Sequence, residues 1–523
     1  MKRLLYISIM IFMGCAYIQA QTVFDAAKAA DSDLNGSARY SSMAGAFGAL
    51  GGDVSAIKDN PAGLGVFRKS EISITANQLF QNSKSIWDSD TVKTNRNKFG
   101  LNNFSLVFAS PSSYKTSGLV SSNFSFTYNK LKNFNRDVFI RNDEIFTSAI
   151  DYYMAKAPVN ITDNDISFNN DNWSWLSVLA YKGFLINPIY NAQGNNIVDW
   201  YPVLGDNEYV LPDYWLREKG AINEYAFTWA GNINNNLFLG ASLNIRSLDY
   251  HLISEYNEDF TGGGGMTMCN YVDITGGGVS ANFGLIYLPA NFLRLGASIQ
   301  TPTIYSLSVT NFARLHYDSY DYDYEEPVSG TVEPSDRRGN SIDNEVNSSF
   351  YSPLQINGSI AFLFGKQGLL SAEYNFKNYT GMYFADKDRG SSSYTVENDQ
   401  INTMLNNTST FKIGGEYKIN QNFAVRAGYA YTSAAHNDNA EKISYSNTVR
   451  TDVEYLINNG SRYLTTGLGY RDAFWYIDLA FTNQRLDETF YTFNPNELRN
   501  VSVTPASVIT NFNNLILTVG FRF

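Results

Sequence analysis

Cysteine is almost missing from this sequence: 523 residues hold two, Cys15 and Cys269, beside three histidines. If Cys15 leaves with a cleaved leader, Cys269 stands alone. That excludes an internal disulfide and a cysteine-built zinc site. Positive charge is also short. Lys and Arg total 39 against 50 Asp and Glu, a net charge of −11, which excludes a nucleic-acid partner because a phosphate backbone needs a basic face. Past the N-terminus no stretch approaches the roughly 18 apolar residues of a membrane helix, and mean hydropathy is only −0.25. What the chain has in quantity is aromatic: 36 Tyr and 35 Phe, together with 39 Gly.

The first twenty residues read as a secretory signal. Lys2 and Arg3 precede a short apolar run from Leu4 to Met13, and Ala20 places a small residue before a cut at Gln21. The rival reading is a lipoprotein signal with Gly14-Cys15 as the lipidated junction. Either way the mature chain is exported and lacks a helical span.

Alternation dominates the rest. In "NNLILTVGFRF", Leu515, Leu517, Val519, Phe521 and Phe523 share one face, while Ile516, Thr518, Gly520 and Arg522 share the other. "FKIGGEYKI", "NFAVRAGYAYT" and "WYIDLAFT" repeat the pattern. Fourteen such runs are predicted as strands, at 69–80, 98–110, 117–130, 221–232, 235–249, 272–288, 290–300, 351–363, 366–379, 407–418, 421–433, 460–470, 472–485 and 511–523. Every second connection is short, such as "NINN", "LPA", "GKQ" and "INQ". The alternate ones are long, above all 131–220 and 301–350. A soluble, polysaccharide-binding β-sandwich has no reason to sort its loops by parity. A membrane barrel does, with short turns at one end and long loops at the other.

Hydrocarbon cannot satisfy an open sheet edge, so a spanning sheet must close. The face carrying Arg246, Arg294, Glu373, Lys377, Lys412, Glu416, Arg426, Asp478 and Arg522 is then expected to line a polar lumen, because each charge turned to lipid costs roughly 2–4 kcal/mol near the midplane. The fold class predicted is all-β: a 14-stranded antiparallel transmembrane β-barrel in the outer membrane of a Gram-negative cell, reached by Sec export. Its surroundings would be outer-membrane lipid and lipopolysaccharide, as a monomer.

A lumen of this width needs a plug. About 45 residues lie between the signal and the first strand. Phe24 to Ala30 is expected as a short helix. The small-residue run 43–64, "MAGAFGALGGDVSAIKDNPAGL", can bend at Gly51-Gly52 and at Asn60-Pro61. The organisation expected is signal 1–20, hatch 21–66 and barrel 67–523.

The run from Ala44 to Leu64, ending in Asn60-Pro61-Ala62-Gly63-Leu64, resembles the hatch of the FadL-like long-chain fatty-acid and hydrocarbon transporters. "FAVRAGYAYTSA" at 423–434 resembles a late strand of that family. The resemblance implies a hatch built on Asn60, Pro61, Ala62 and Gly63, a terminal aromatic, Phe523, read by the outer-membrane assembly machinery, and passive uptake of hydrophobic small molecules. Relatives labelled haemin receptors keep haemin binding as an alternative, and a surface adhesin or structural barrel is another. Arg246, Arg294 and Arg426 are candidates to attract a ligand carboxylate, or to pair with Glu373 or Asp478.

No enzyme is predicted, and no metal or cofactor. Gly262 to Gly265 lacks the Lys-Ser/Thr of a phosphate loop. His251 and Ser254 lie three apart on a strand, on opposite faces, and His316 and His436 are expected in outer loops. The acidic run Asp318 to Pro327 reads as a solvated loop. An energised receptor would need 22 strands and a large globular plug.

Overall fold

The computed structural model describes residues 21–111, 117–170, 172–205, 207–322, 325–335, 344–386, 390–445, 448–498 and 503–523. The signal at 1–20 lies outside them.

Fourteen strands pair antiparallel in chain order around a closed ring. They are β1 Glu71–Trp87, β2 Asp90–Phe108, β3 Leu119–Asn133, β4 Val210–Ile233, β5 Leu237–Phe260, β6 Gly265–Ala290 and β7 Leu293–Gln300, then β8 Gln355–Phe364, β9 Gly368–Lys377, β10 Thr408–Lys418, β11 Phe423–Thr432, β12 Tyr455–Arg471, β13 Trp475–Tyr491 and β14 Ala506–Arg522. Closure is made by β1 on β14, from Glu71 opposite Arg522 to Ile86 opposite Ser507. Each run expected from alternation is one of these strands. The tight connections have turn chemistry to match: between β4 and β5, Asn234 and Asn235 both take the left-handed backbone that Asn tolerates.

Strands β4 to β6 are much longer than the roughly ten residues a bilayer needs, and their chemistry inverts part-way. In the lower part of β5, Leu239, Leu243 and Ile245 point outward and are exposed, while Ser242 and Asn244 point inward and are buried. Above Arg246 the parity continues but the polarity swaps. Tyr250, Leu252 and Tyr256 are buried inside, and the outward positions are Ser247, Asp249 and Glu255. On the neighbouring strands Asn223 and Gly277 lie opposite Ser247. Above them Asp273 and Thr275 face out while Met268, Val272 and Ile274 are buried. This line is the outer edge of the apolar belt. Below it the outside meets hydrocarbon; above it the outside meets water and the inside meets a protein core.

That core comes from the segments expected as long loops. Between 134 and 209 the described residues include helices α3 Ala149–Ala155 and α4 Trp175–Lys182 and the hairpin Ile186–Tyr190 with Ile197–Pro202. Trp173 and Trp200 meet edge-on at 6.0 Å within it. Residues 304–321 are strand rather than loop: Ile304–Asp321 continues β7 upward against β6, and Glu345–Tyr351 continues β8. Both continuations start at a proline break, Pro302 and Pro353, where Ser352 still donates its N–H to Thr303 O at 3.0 Å. His316, expected in a loop, therefore lies on a strand. The result is a folded cap on the outer end of the barrel.

Candidate functional site

The hatch begins with α1 Val23–Ala30, whose N-cap Thr22 and Asp25 form a reciprocal capping box. A second short helix, α2 Ala38–Ser42, is capped by Ser37. The chain then winds through the small-residue run inside the barrel, and almost all of it is buried.

Small residues are needed because backbone touches backbone. Inward-facing glycines on the wall leave room for the hatch main chain. A Cβ on Gly240 would stand 2.4 Å from the Pro61 carbonyl carbon, and one on Gly284 only 1.9 Å from Asn60 Oδ1. Gly296, Gly414, Gly428 and Gly467 are similarly filled by Gly48, Met43, Ala44 and Ser42. On the hatch side, Gly51, in the left-handed region at φ +61°, packs against Gly63.

Asn60 joins hatch to wall. Its Nδ2 donates to Gly48 O at 2.7 Å and to Leu285 O at 3.0 Å, and its Oδ1 accepts from Ala62 N at 3.1 Å. Pro61 follows at the first position of a 3-10 turn, where its missing N–H is no loss. Ala62 and Gly63 are buried in the same turn.

Ion pairs add to this seat. Arg39 donates to Glu416, which also accepts from Arg426 Nε at 2.7 Å, and Arg426 reaches Asp478 at 2.6 Å. Arg246 binds Glu224 at 2.8 Å and Thr303 Oγ1 at 2.8 Å. Arg294 donates to Leu50 O of the hatch at 2.6 Å. Lys412 bonds Glu373 at 2.8 Å, and Glu373 accepts from Gly48 N at 2.8 Å. All nine charges read as luminal are turned inward, and Asp478, Arg426 and Glu373 are among the most buried.

Between α1, the barrel wall and the cap lies a cavity of about 200 Å³. Its wall is apolar at Phe24, Leu79, Phe134, Leu216, Leu252 and Phe512. Its polar groups are mostly paired, as in Arg450 with Asp25 and Asp452. A second cavity of about 120 Å³ lies on the other side of the 29–34 segment, lined by Arg246, Lys377 and Lys412 among others.

The chain matches no protein-family model and no curated protein. Among solved structures it superposes on a Pseudomonas aeruginosa FadL homologue with a TM-score of 0.54 at 14% identity, over 94% of this chain and 99% of that one. The fold is FadL-like. The Ralstonia pickettii toluene transporter TbuX agrees, with a TM-score of 0.50 at 15% identity over 94% of this chain and 99% of that one. In this FadL-like barrel the hatch run read from the sequence lies inside the lumen. Sequence reasoning missed the wall glycines that seat it. Their signal is a glycine at an inward position of an alternating strand, as in Gly414 and Gly428.

The histidines are scattered. His251 faces out beside Asp249 and Asp273, and Ser254 is buried on the opposite face. Only His436 lines the larger cavity, stacked on Phe24 at 5.0 Å. Among the described residues no cluster of His, Cys, Asp or Glu is arranged to hold a metal ion.

Proposed function

We propose that the protein is a passive outer-membrane channel for hydrophobic small molecules, with the cavity between cap and hatch as its ligand site. One observation carries the reading: an apolar-walled chamber sits inside a lipid-belted barrel whose lower exit is occupied by a hatch packed on glycines. Burial of an apolar ligand there stabilises it by roughly 25 cal/mol per Å² removed from water. Export by the Sec route, assembly through exposed Phe523 and a monomeric state in outer-membrane lipid belong to the same proposal.

Long-chain fatty acids are the finer version of this reading. Arg246 and Arg426 are each engaged by carboxylates of the wall, so a fatty acid would have to compete for them. Haemin binding through a histidine, rather than a tyrosine, would need His436 as the axial ligand. Its Nδ1 accepts from Asn458 N at 3.1 Å, which puts the ring proton of the neutral form on Nε2, the atom that would face the iron. That geometry argues against haem ligation there.

The test is uptake. Expression in a Gram-negative host lacking its own hydrocarbon and fatty-acid barrels should speed entry of radiolabelled alkylbenzenes or long-chain lipids several-fold over empty vector. Equal entry rates for every hydrophobic probe would reject the proposal. Cell adhesion without uptake would favour the adhesin alternative.

A further inference from the structure

Beside the larger cavity lies a smaller one of about 30 Å³, and the two adjoin: Thr22, Phe24, Lys442, Arg450 and Asp452 line both. The smaller cavity is roofed by residues 441–445 of the β11–β12 connection and bounded by Gln400 of helix α5 Thr395–Met404. Those roof residues and Gln400 are part-exposed, whereas 448–455 is buried. A single layer of chain therefore stands between outside water and the small cavity. Between that cavity and the chamber stands one ring of five side chains.

We propose that residues 441–445 are the door through which ligand reaches the chamber, and that Phe24, the apolar member of the ring beneath, sets the width of molecule admitted. The inference rests on the channel reading above and adds its entry point and its size filter.

The roof is fastened in a way that lets it move. None of 441–445 is in a helix or strand, and none of their N–H groups donates to a main-chain carbonyl among the described residues. Side chains of separate elements hold it instead. Lys156, just after α3, donates to Ser444 O at 2.7 Å, Asn496 donates to Glu441 at 2.8 Å on the exposed surface, and Gln400 donates to the Tyr445 hydroxyl. The apolar side chain of the segment, Ile443, packs on the core. Polar bonds near water exchange for water at little net cost, so such a segment opens more easily than one held by a ladder and by buried apolar area. The β4–β5 side of the chamber has both. Those strands pair along their whole length, and Leu176 and Leu179 of α4 are fully buried in one core with Tyr214 and Leu252.

The polar members of the ring are already committed. Thr22 caps α1. Arg450 binds Asp25 at 3.0 Å and Asp452 at 2.6 Å, and Lys442 binds Asp452 at 2.6 Å. Phe24 differs. Its ring stacks on His436 at 5.0 Å and leans on Tyr455 at 5.3 Å. Ion pairs fix the rest of the frame, so the bulk of Phe24 decides how much width is left open.

The experiment uses the full chain in the uptake host described above, with Cys269→Ser so that no thiol of the barrel competes. Adding Gln400→Cys and Tyr445→Cys, and joining them from outside the cell with a cleavable bis-maleimide, ties the door to α5. Linking should cut entry of radiolabelled hexylbenzene at least about fivefold, and cleaving the linker should restore it. Either cysteine alone, treated alike, should leave entry unchanged. Phe24→Ala is read with two isomers of one formula, slender hexylbenzene and broad triethylbenzene. It should raise triethylbenzene entry relative to hexylbenzene about fivefold, with ion conductance unchanged. A linked chain, verified by mass spectrometry, that admits hexylbenzene at the unlinked rate would overturn the door. A Phe24→Ala chain that gains both isomers equally, as loosened packing would produce, or gains neither, would overturn the filter. Native entry of both isomers no faster than empty vector would overturn the channel reading, and this inference with it.

Discussion

Arg39 of the hatch donates through Nε to Glu416 of β10 at 2.8 Å, and both side chains are buried. Glu416 is shared with Arg426 of β11, so the hatch closes a charge chain that begins in the wall. Removing one partner of a buried pair leaves the other uncompensated, at about 3–5 kcal/mol. Arg39→Leu should therefore loosen the hatch without unfolding the barrel. Planar-bilayer recordings should show intermittent ion conductance that the native chain lacks. Silent recordings from a correctly inserted variant would show that the pair does not hold the plug.

Gly284 tests the backbone contact. A side chain there has to displace Asn60, whereas Gly358 on β8 has nothing within 4 Å of an added Cβ. Gly284→Val should raise conductance and expose residues 43–63 to protease from the hatch side; Gly358→Val should behave as native. Equal behaviour of the two would refute the seat.

The polarity swap at Ser247 predicts a depth profile. Leu243→Arg places a charge in the apolar belt and should cost roughly 2–4 kcal/mol of folding stability in lipid. Asp249→Arg, on the same face six residues higher, should cost well under 1 kcal/mol. Urea unfolding in vesicles measures both. A similar penalty at both sites would move the belt's edge above residue 249.

Glu454 and His436 give the cap a pH signature of known sign. Burial raises the folded Glu454 above its unfolded value, toward about 8. The folded state then binds the extra proton, and stability falls as pH rises through that window. His436 is lowered to about 4, so the unfolded state binds its proton and stability rises with pH, but only up to about 6.5. Glu258 of β5, pushed up by burial to about 7, acts in the same direction at lower pH, so the Glu454 contribution is read between about 7 and 8. Amide protection factors at 448–455, which correct exchange rates for base catalysis, should fall across that range in the native chain and stay flat in Glu454→Gln. A flat native profile would contradict the buried neutral carboxyl.

The sequence made the belt legible because lipid outside and a polar lumen inside impose a strict alternation. Leu515, Leu517 and Phe521 show it, exposed around buried Ile516 and Thr518. It hid the outer halves of β4 to β6. There the alternation persists with the opposite polarity, so Tyr214 and Leu216 inside and Asp213 and Arg217 outside read as a loop. Pro302 and Pro353 cut two further strands where their alternation would have continued. The placement of 43–64 inside the barrel was readable from its small residues and its bends at Gly51-Gly52 and Asn60-Pro61. Its seat was not, since a wall glycine carries no mark of what fills the space above it. Glu454 was equally silent, one acidic residue in an acidic chain until the fold buried it.

The most direct test of the account compares two fluxes in the same proteoliposomes containing the full mature chain: ions by electrical conductance, and a labelled hydrophobic molecule such as 1-dodecanol by trapping inside. The account predicts transfer of the hydrophobic probe well above protein-free vesicles with ion conductance at baseline, and an open ion pore once residues 43–63 are deleted. A native chain that conducts ions freely, or that leaves the hydrophobic flux at the protein-free rate, would contradict it.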